Sequence, residues 1–513
     1  MSLPQCLWLL PLALLACGGR SDEDTEVGTG RAPDVAPAPV RDSAGIPWNP
    51  WDRQTLQRAQ DRDLPLLLYF SAEGADGVFP VDDPSVRYLI EQKFTAIRVN
   101  PFQRPDLARR YASRGWPALA FLLPDGSPVS TATDLPARNA RTWLMQMADH
   151  YEKRRDVLVK KAARGTIGPG ATPLSAAGVF AEVAADYDSV HGGFGGPEKF
   201  PELLVLHFLL HYNRLSGNGT AREMWLATVK TMLQSPIWDA RTGGICSFSY
   251  TPDWTTPSGA RDAADQAGLV QLLLAAREAD PEVFTPLLDR QLAYVRGELY
   301  DRERRLFHGR QVLVESGAGG AAAWWTDRTA YAGRNARLVL ALLDAAETLE
   351  QRQWGELALG TAEALLALLV DGDGRVAHCR PAGCASGLLA DQLLVSRAMW
   401  RAHRWSGESR FLQAAERTLR WTEENLHDSR AGGFRDASGA GAPLQAWEEQ
   451  IPFADEIHPS GNAVAVEVYL DLERADAAAA IAAAPRIAGS VSRIHAGMAA
   501  AMMRREQIGQ AGP

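Results

Sequence analysis

One tight turn recurs along the last two thirds of this 513-residue chain. Asp188 opens "DSVHGGF", Asp239 opens "DARTGGI" and Asp428 opens "DSRAGGF", with looser copies at Asp301 ("DRERRLF") and Asp371 ("DGDGRVA"). An Asp at such a place hydrogen-bonds its own backbone two residues on, Gly takes the positive φ, and the closing apolar residue tucks into a core. These aspartates are therefore read as turn-formers before any chemistry is asked of them. Each interval between successive copies has the length of one helical hairpin with its loops. Apolar residues at 3.6-residue spacing mark about twelve helices between Pro173 and Arg504, the last expected over Arg486–Arg504. The turns follow every second helix, so all lie at one end. Six hairpins of this kind stack openly, with polar capping helices, or close on themselves. The small-residue run "ADAAAAIAAA" suits close packing against a neighbour and favours closure, giving an (α/α)6 toroid over residues 165–505.

The preceding segment, residues 46–155, alternates strands and helices: "LPLLLYF", "DPSVRYLIEQ", "FTAIRVN", "PDLARRYA", "WPALAFLLP", "VSTAT" and "ARTWLMQMADHY". This pattern indicates a mixed sheet between helices, arranged as in thioredoxin. Pro117, after Gly-Trp at the head of a strand, is a candidate cis-proline. The fold class expected is thus multidomain: an α/β thioredoxin-like domain, then an all-α toroid. Thioredoxin chemistry needs an attacking sulfur after the first long strand, and residues 71–77 there read "SAEGADG". Residue identity excludes thiol exchange at that loop.

The apolar run in "MSLPQCLWLLPLALLACGG" is too short to span a bilayer and ends in "LLAC", similar to a lipobox. Residues 1–17 are expected to be a lipoprotein signal peptide, Cys17 the lipidated residue, and residues 18–45, rich in Pro, Gly and acids, a flexible linker. The expected localisation is the bacterial cell envelope, on the outer-membrane or periplasmic side. Cys379 and Cys384 in "HCRPAGC" are a candidate disulfide. A metal site using His378 lacks further ligands, and neither metal nor cofactor is expected. A formal charge of −9 with acids and bases interspersed excludes a nucleic-acid surface.

Four stretches in order, "NPWDRQTLQRAQDRDLPLLLYF" (Asn49–Phe70), "GWPALAFLLPDG" (Gly115–Gly126), "GGFGGPEKFP" (Gly192–Pro201) and "HPSGNAVA" (His458–Ala465), resemble the thioredoxin-like plus six-hairpin family typified by spermatogenesis-associated protein 20. The resemblance implies a toroid of the six-hairpin glycosidase type. Two departures matter. The C-x-x-C of that family is missing, and where its members read Trp-x-x-Pro-His-Phe-Glu-Lys this chain keeps Trp254 and Pro257 but has Ser258 and Ala260 for the His and Glu. Polar residues fall at the starts of even-numbered helices, which would rim one mouth of the toroid. Asp265, Asp391 and Asp455 are the candidate catalytic carboxylates; Glu198, Lys199, Trp254, Asn335 and Asn462 are the candidate ligand-binding residues. Asp and Asn also cap helices, so a purely local role competes. Two functions are expected from these features: a membrane-tethered, redox-inactive protein binding a carbohydrate or protein ligand at the mouth, or a hydrolase or epimerase using two toroid carboxylates.

Overall fold

The computed structural model describes residues 40–41, 46–72, 83–112, 117–133, 135, 137–163, 172–315, 322–380, 384–429, 432–437, 459–483, 486–487 and 492–510. The leader, Cys17, most of the linker, residues 73–77 of the thioredoxin loop, the Trp116–Pro117 peptide bond and Asp455 lie outside them. Among the described residues, no helix is long and apolar enough to cross a membrane.

Four strands form the first sheet: β1 (Leu66–Phe70), β2 (Thr95–Val99), β3 (Ala118–Leu122) and β4 (Pro128–Thr133), in the order β2-β1-β3-β4. β1 runs parallel to β2 and antiparallel to β3. Because alternate side chains of a strand face opposite ways, β1 feeds two cores. Leu66, Leu68 and Phe70 pack with α1 (Arg53–Asp61) and α3 (Pro105–Tyr111), whereas Leu67 and Tyr69 pack with α2 (Pro84–Lys93) and α4 (Ala137–Ala163). The helix starts are set locally, with Asp52 accepting from Thr55 N–H and Asp83 from Ser85 N–H.

Among the described residues twelve α-helices follow: α5 (Ala176–Ala185), α6 (Leu203–Ser216), α7 (Gly219–Leu233), α8 (Ala263–Arg277), α9 (Pro281–Tyr294), α10 (Ala332–Thr348), α11 (Arg352–Leu369), α12 (Leu389–Ser406), α13 (Ser409–Leu426), α14 (Gly461–Asp471), α15 (Ala475–Ala483) and α16 (Ala496–Gln510). Each even-numbered helix packs on the next, α6 to α8 to α10 to α12 to α14 to α16, and α16 returns to α6. The ring is closed, with the odd-numbered helices outside it. Inner helices are buried almost all round: eleven residues of α8, thirteen of α10 and ten each of α12 and α14. Arg493 seals the join by pairing with both Asp186 and Glu202.

The last helix begins at Ala496, later than the Arg486 start that its apolar spacing predicts. Arg486–Ile487 pairs as a short strand with Thr172–Pro173 instead, and Ser492 with His495 forms a capping box just ahead of α16. In the α7–α8 and α9–α10 connections, β5 (Ala260–Asp262), β6 (Arg310–Glu315) and β7 (Ala322–Asp327) make a small antiparallel sheet in the order β7-β6-β5.

Candidate functional site

The five repeat turns all precede inner helices and so border one mouth of the ring. Asp188 Oδ1 accepts from the N–H groups of Val190 and His191, Asp239 Oδ1 from Arg241 and Thr242, Asp301 Oδ1 from Glu303 and Arg304, and Asp371 Oδ1 from Asp373 and Arg375. Asp428 closes its turn through its carbonyl, which accepts from Gly432 N–H. Burial raises the Asp239 carboxyl, but the Thr242 hydroxyl, these N–H groups and Arg261 outweigh it and hold the group at about 2. Gly244 sits at φ +88°, where a Cβ would lie 2.7 Å from the Tyr294 ring.

A second device repeats with these turns, and it corrects two of the candidate ligand residues. Asn335 on α10 accepts from Phe307 N–H (2.7 Å) and donates to the carbonyls of Phe307 (3.1 Å) and Tyr331 (2.9 Å). Asn462 on α14 does the same to Phe434, at 2.8 and 3.0 Å. Gln266 grips Ile245 N–H and C=O, and Gln392 takes Val376 N–H while donating to Gly374 C=O. Each amide staples a turn to the following inner helix. Asn335 and Asn462 are fully buried with both ends of the amide engaged, which commits them to the turns rather than to a ligand.

Lys199 and Trp254 are corrected on similar grounds. Lys199 is 1% exposed, with Nζ 3.0 Å from Asp188 Oδ2 and donating to Gly195 C=O. Trp254 is fully buried at φ +65°, donates to the His191 carbonyl, and fills the space a Cβ on Gly193 would need. Both side chains hold the first turn in place. Glu198 is exposed beside them.

The exposed aromatic surface at this mouth lies elsewhere. Phe200 stacks on Phe248 at 5.3 Å, and Tyr250 meets Phe248 edge-on at 4.9 Å. Phe200 and Tyr250 are 45% and 54% exposed, far more than a packing role requires. The segment carrying Phe248 is joined to Lys199 by paired backbone hydrogen bonds through Ser249. The alternation Phe-Ser-Tyr at 248–250 was the available signal, since period-two spacing in extended backbone puts two aromatics on one side.

The two described candidate carboxylates differ sharply. Asp265, in the first turn of α8, accepts from Ser247 Oγ at 2.9 Å and keeps part of its surface accessible. Burial, reinforced by the charge of Asp262, pushes this carboxyl up to about 7 against the pull of Ser247, Arg337 and Arg334. Asp262 is held bidentate by Arg334 and caps α8 at Ala264 N–H. Asp391 is buried and occupied, with Oδ1 accepting from Gly333 N–H at 3.0 Å and Oδ2 lying 2.6 Å from His378 Nδ1. It therefore does not stand free across the mouth as a partner for Asp265.

His378 also reaches the thioredoxin-like domain. Its Nε2 lies 2.8 Å from the carbonyl of Phe102, in the turn between β2 and α3. The Phe102 ring lies under the guanidinium groups of Arg310 (4.0 Å) and Arg334 (5.5 Å), Ala385 N–H donates to Gln103 C=O, and Arg109 on α3 pairs with Asp436. One sector of the mouth, over α10 and α12, is thus capped by this domain. At the end of β1, Ser71 is buried and its Oγ accepts from Arg98 Nε at 3.0 Å. Cys379 and Cys384 are bonded to each other, and Cys246 is free and buried.

At the far ends of the inner helices, ion pairs bind neighbours together. Arg397 on α12 holds Asp471 (2.7 Å) and Glu467 (2.9 Å) on α14, Arg504 on α16 holds the same two acids, and Arg401 holds Asp344 on α10. On α6, His207 faces the Gly268 carbonyl, and burial pushes its imidazole down to about 4.

Comparison with known proteins fits this architecture. Residues 40–166 match the family Thioredox_DsbH, described as "Protein of unknown function, DUF255". Spermatogenesis-associated protein 20 of Rattus norvegicus is 25% identical over 295 residues, covering 50% of this chain and 37% of that protein, so the chain spans under two fifths of this relative. The resemblance drawn from the sequence motifs is therefore found by direct comparison. Among solved structures, a D-mannose isomerase (TM-score 0.49, 10% identity) covers 65% of this chain and 96% of its own. A cellobiose 2-epimerase from Spirochaeta thermophila (TM-score 0.49, 13% identity) covers 65% and 95%.

Proposed function

We propose that this protein is a redox-silent thioredoxin-like domain joined to a helical toroid that binds a carbohydrate on the uncapped rim of its mouth. The observation that carries the reading is the aromatic cluster on the loops leading into α6 and α8, in which exposed Phe200 and Tyr250 pack on half-buried Phe248. Aromatic faces are electron-rich, and the C–H face of a sugar ring is apolar with partial positive hydrogens, so the two stack while hydroxyls reach polar groups nearby. Glu198 stands exposed next to the stack, and Ser247, one residue before Phe248, leads inward to Asp265. Silence as a thiol oxidoreductase is supported by Ser71 at the strand end and the absence of cysteine from residues 71–77. The envelope location rests on the lipobox-like residues before Cys17; metabolic palmitate labelling, lost in Cys17→Ser, tests it.

A second reading, an epimerase or hydrolase, is favoured by one feature. A carboxyl raised to about 7 exchanges protons readily near neutral pH, as an acid–base catalyst must. Hydrolysis with two carboxylates needs a second free group, and Asp391 is engaged. Calorimetric titration against oligosaccharides and cell-wall fragments separates the readings. Binding that falls about tenfold in Phe200→Ala and Tyr250→Ala, with no turnover, supports the binding protein. Turnover abolished by Asp265→Asn supports the enzyme. Binding of no glycan, or binding indifferent to both aromatic truncations, overturns the rim site.

A further inference from the structure

The residues that grip the Phe102 turn flank a disulfide. Residues 377–380 and 384–386 run alongside each other: Ala377 faces Ser386 across an antiparallel bridge, and His378 N–H donates to Ala385 C=O at 2.9 Å. The next pair, Cys379 and Cys384, is covalently joined with Cα atoms 5.6 Å apart. The two residues just outside that bond touch the thioredoxin-like domain: His378 through Nε2 to Phe102 C=O, and Ala385 through N–H to Gln103 C=O. The 377–380 segment is also fixed to the ring, since Cys379 pairs with Tyr331, Ala332 N–H donates to His378 C=O, and His378 Nδ1 rests on Asp391. Access is asymmetric, because Cys379 is buried while Cys384 is partly exposed.

We propose that Cys379–Cys384 is an exchangeable disulfide, open to dithiol reductants at Cys384, whose reduction loosens the thioredoxin-like cap from the mouth of the toroid. A thiolate of the dithiol attacks Cys384 Sγ. The S–S bond breaks with its electron pair leaving on Cys379 Sγ, which takes up a proton. The second thiol of the reductant then displaces Cys384, which leaves as a thiol, and the reductant departs as its own disulfide. Two electrons and two protons have moved onto the protein. The pair-wise spacing of His378 and Ala385 then rests on backbone hydrogen bonds alone, His378 N–H to Ala385 C=O and Gly387 N–H to Val376 C=O, and both contacts to residues 102–103 lose their covalent frame. This regulation does not depend on what the mouth binds.

The test is hydrogen exchange on the full chain, oxidised against dithiothreitol-reduced, with thiols mapped by mass spectrometry. Reduction is expected to speed exchange of segments 100–104 and 377–386 about tenfold or more while α8 is unchanged. Cys379→Ser/Cys384→Ser should reproduce the reduced pattern without reductant. Should that variant fail to fold, the reduced wild type decides alone. A disulfide that resists excess dithiothreitol in the native protein, or two new thiols with unaltered exchange at 100–104, overturns the proposal.

Discussion

Replacing Asp265 by Asn asks what an enclosed carboxyl costs the toroid. The asparagine keeps an acceptor for Ser247 and stays neutral, so it mimics the protonated acid. Asp265 titrates at about 7 in the fold against 3.8 for the free side chain. Its folded value is raised, so the fold prefers the protonated form. The penalty is absent below about pH 4, grows as pH rises, and is complete above about 7. At about 1.4 kcal/mol for each pH unit, the ceiling is about 4 kcal/mol. Asp265→Asn should therefore be more stable than wild type at pH 8 by up to that amount, and the advantage should vanish towards pH 4. Urea unfolding followed by tryptophan fluorescence from pH 4 to 8 measures it. A difference that does not change with pH would refute the argument, as would a variant weaker than wild type throughout the range. The first would mean that the carboxyl titrates in the fold as it does in the unfolded chain, the second that Asp265 is ionised and stabilised by Arg334 and Arg337.

Asn335→Ala and Asn462→Ala should each lower stability by about 2 to 3 kcal/mol, because a buried backbone N–H and C=O lose their partners, while carbohydrate affinity stays unchanged. Thermal unfolding with parallel calorimetry checks both halves. Asp239 has the opposite sign to Asp265: its carboxyl is held at about 2, so its contribution of about 2 kcal/mol is present above pH 4 and lost as pH falls through 2. Asp239→Asn should flatten that part of the acid-unfolding curve.

The architecture was legible because it is written in periodicities. The Asp-Gly-Gly turns and the 3.6-residue spacing locate twelve helices, and alternate burial of Leu66 to Phe70 follows from strand geometry. The rim was less legible. Asn335 and Asn462 stand at the expected helix starts, but sequence does not say whether an amide there faces a lumen or the backbone of a distant turn residue such as Phe307 or Phe434. Lys199 and Trp254 were conspicuous for a structural reason. The aromatic stack needs Phe200 and Phe248 to meet across the whole α6–α7 hairpin, a contact that no local pattern announces. The same holds for His378, whose partner Phe102 belongs to the other domain.

The seal made by Arg493 with Asp186 and Glu202 has a consequence for biosynthesis. The first and last hairpins are mutual neighbours, so α6 keeps one bare apolar flank until α16, the last of the twelve helices, has been made. During translation the nascent wall is an unfinished arc with two sticky edges, a substrate for chaperones or for strayed pairing with another copy. Loss of the terminal hairpin would leave the molecule in that arc state permanently.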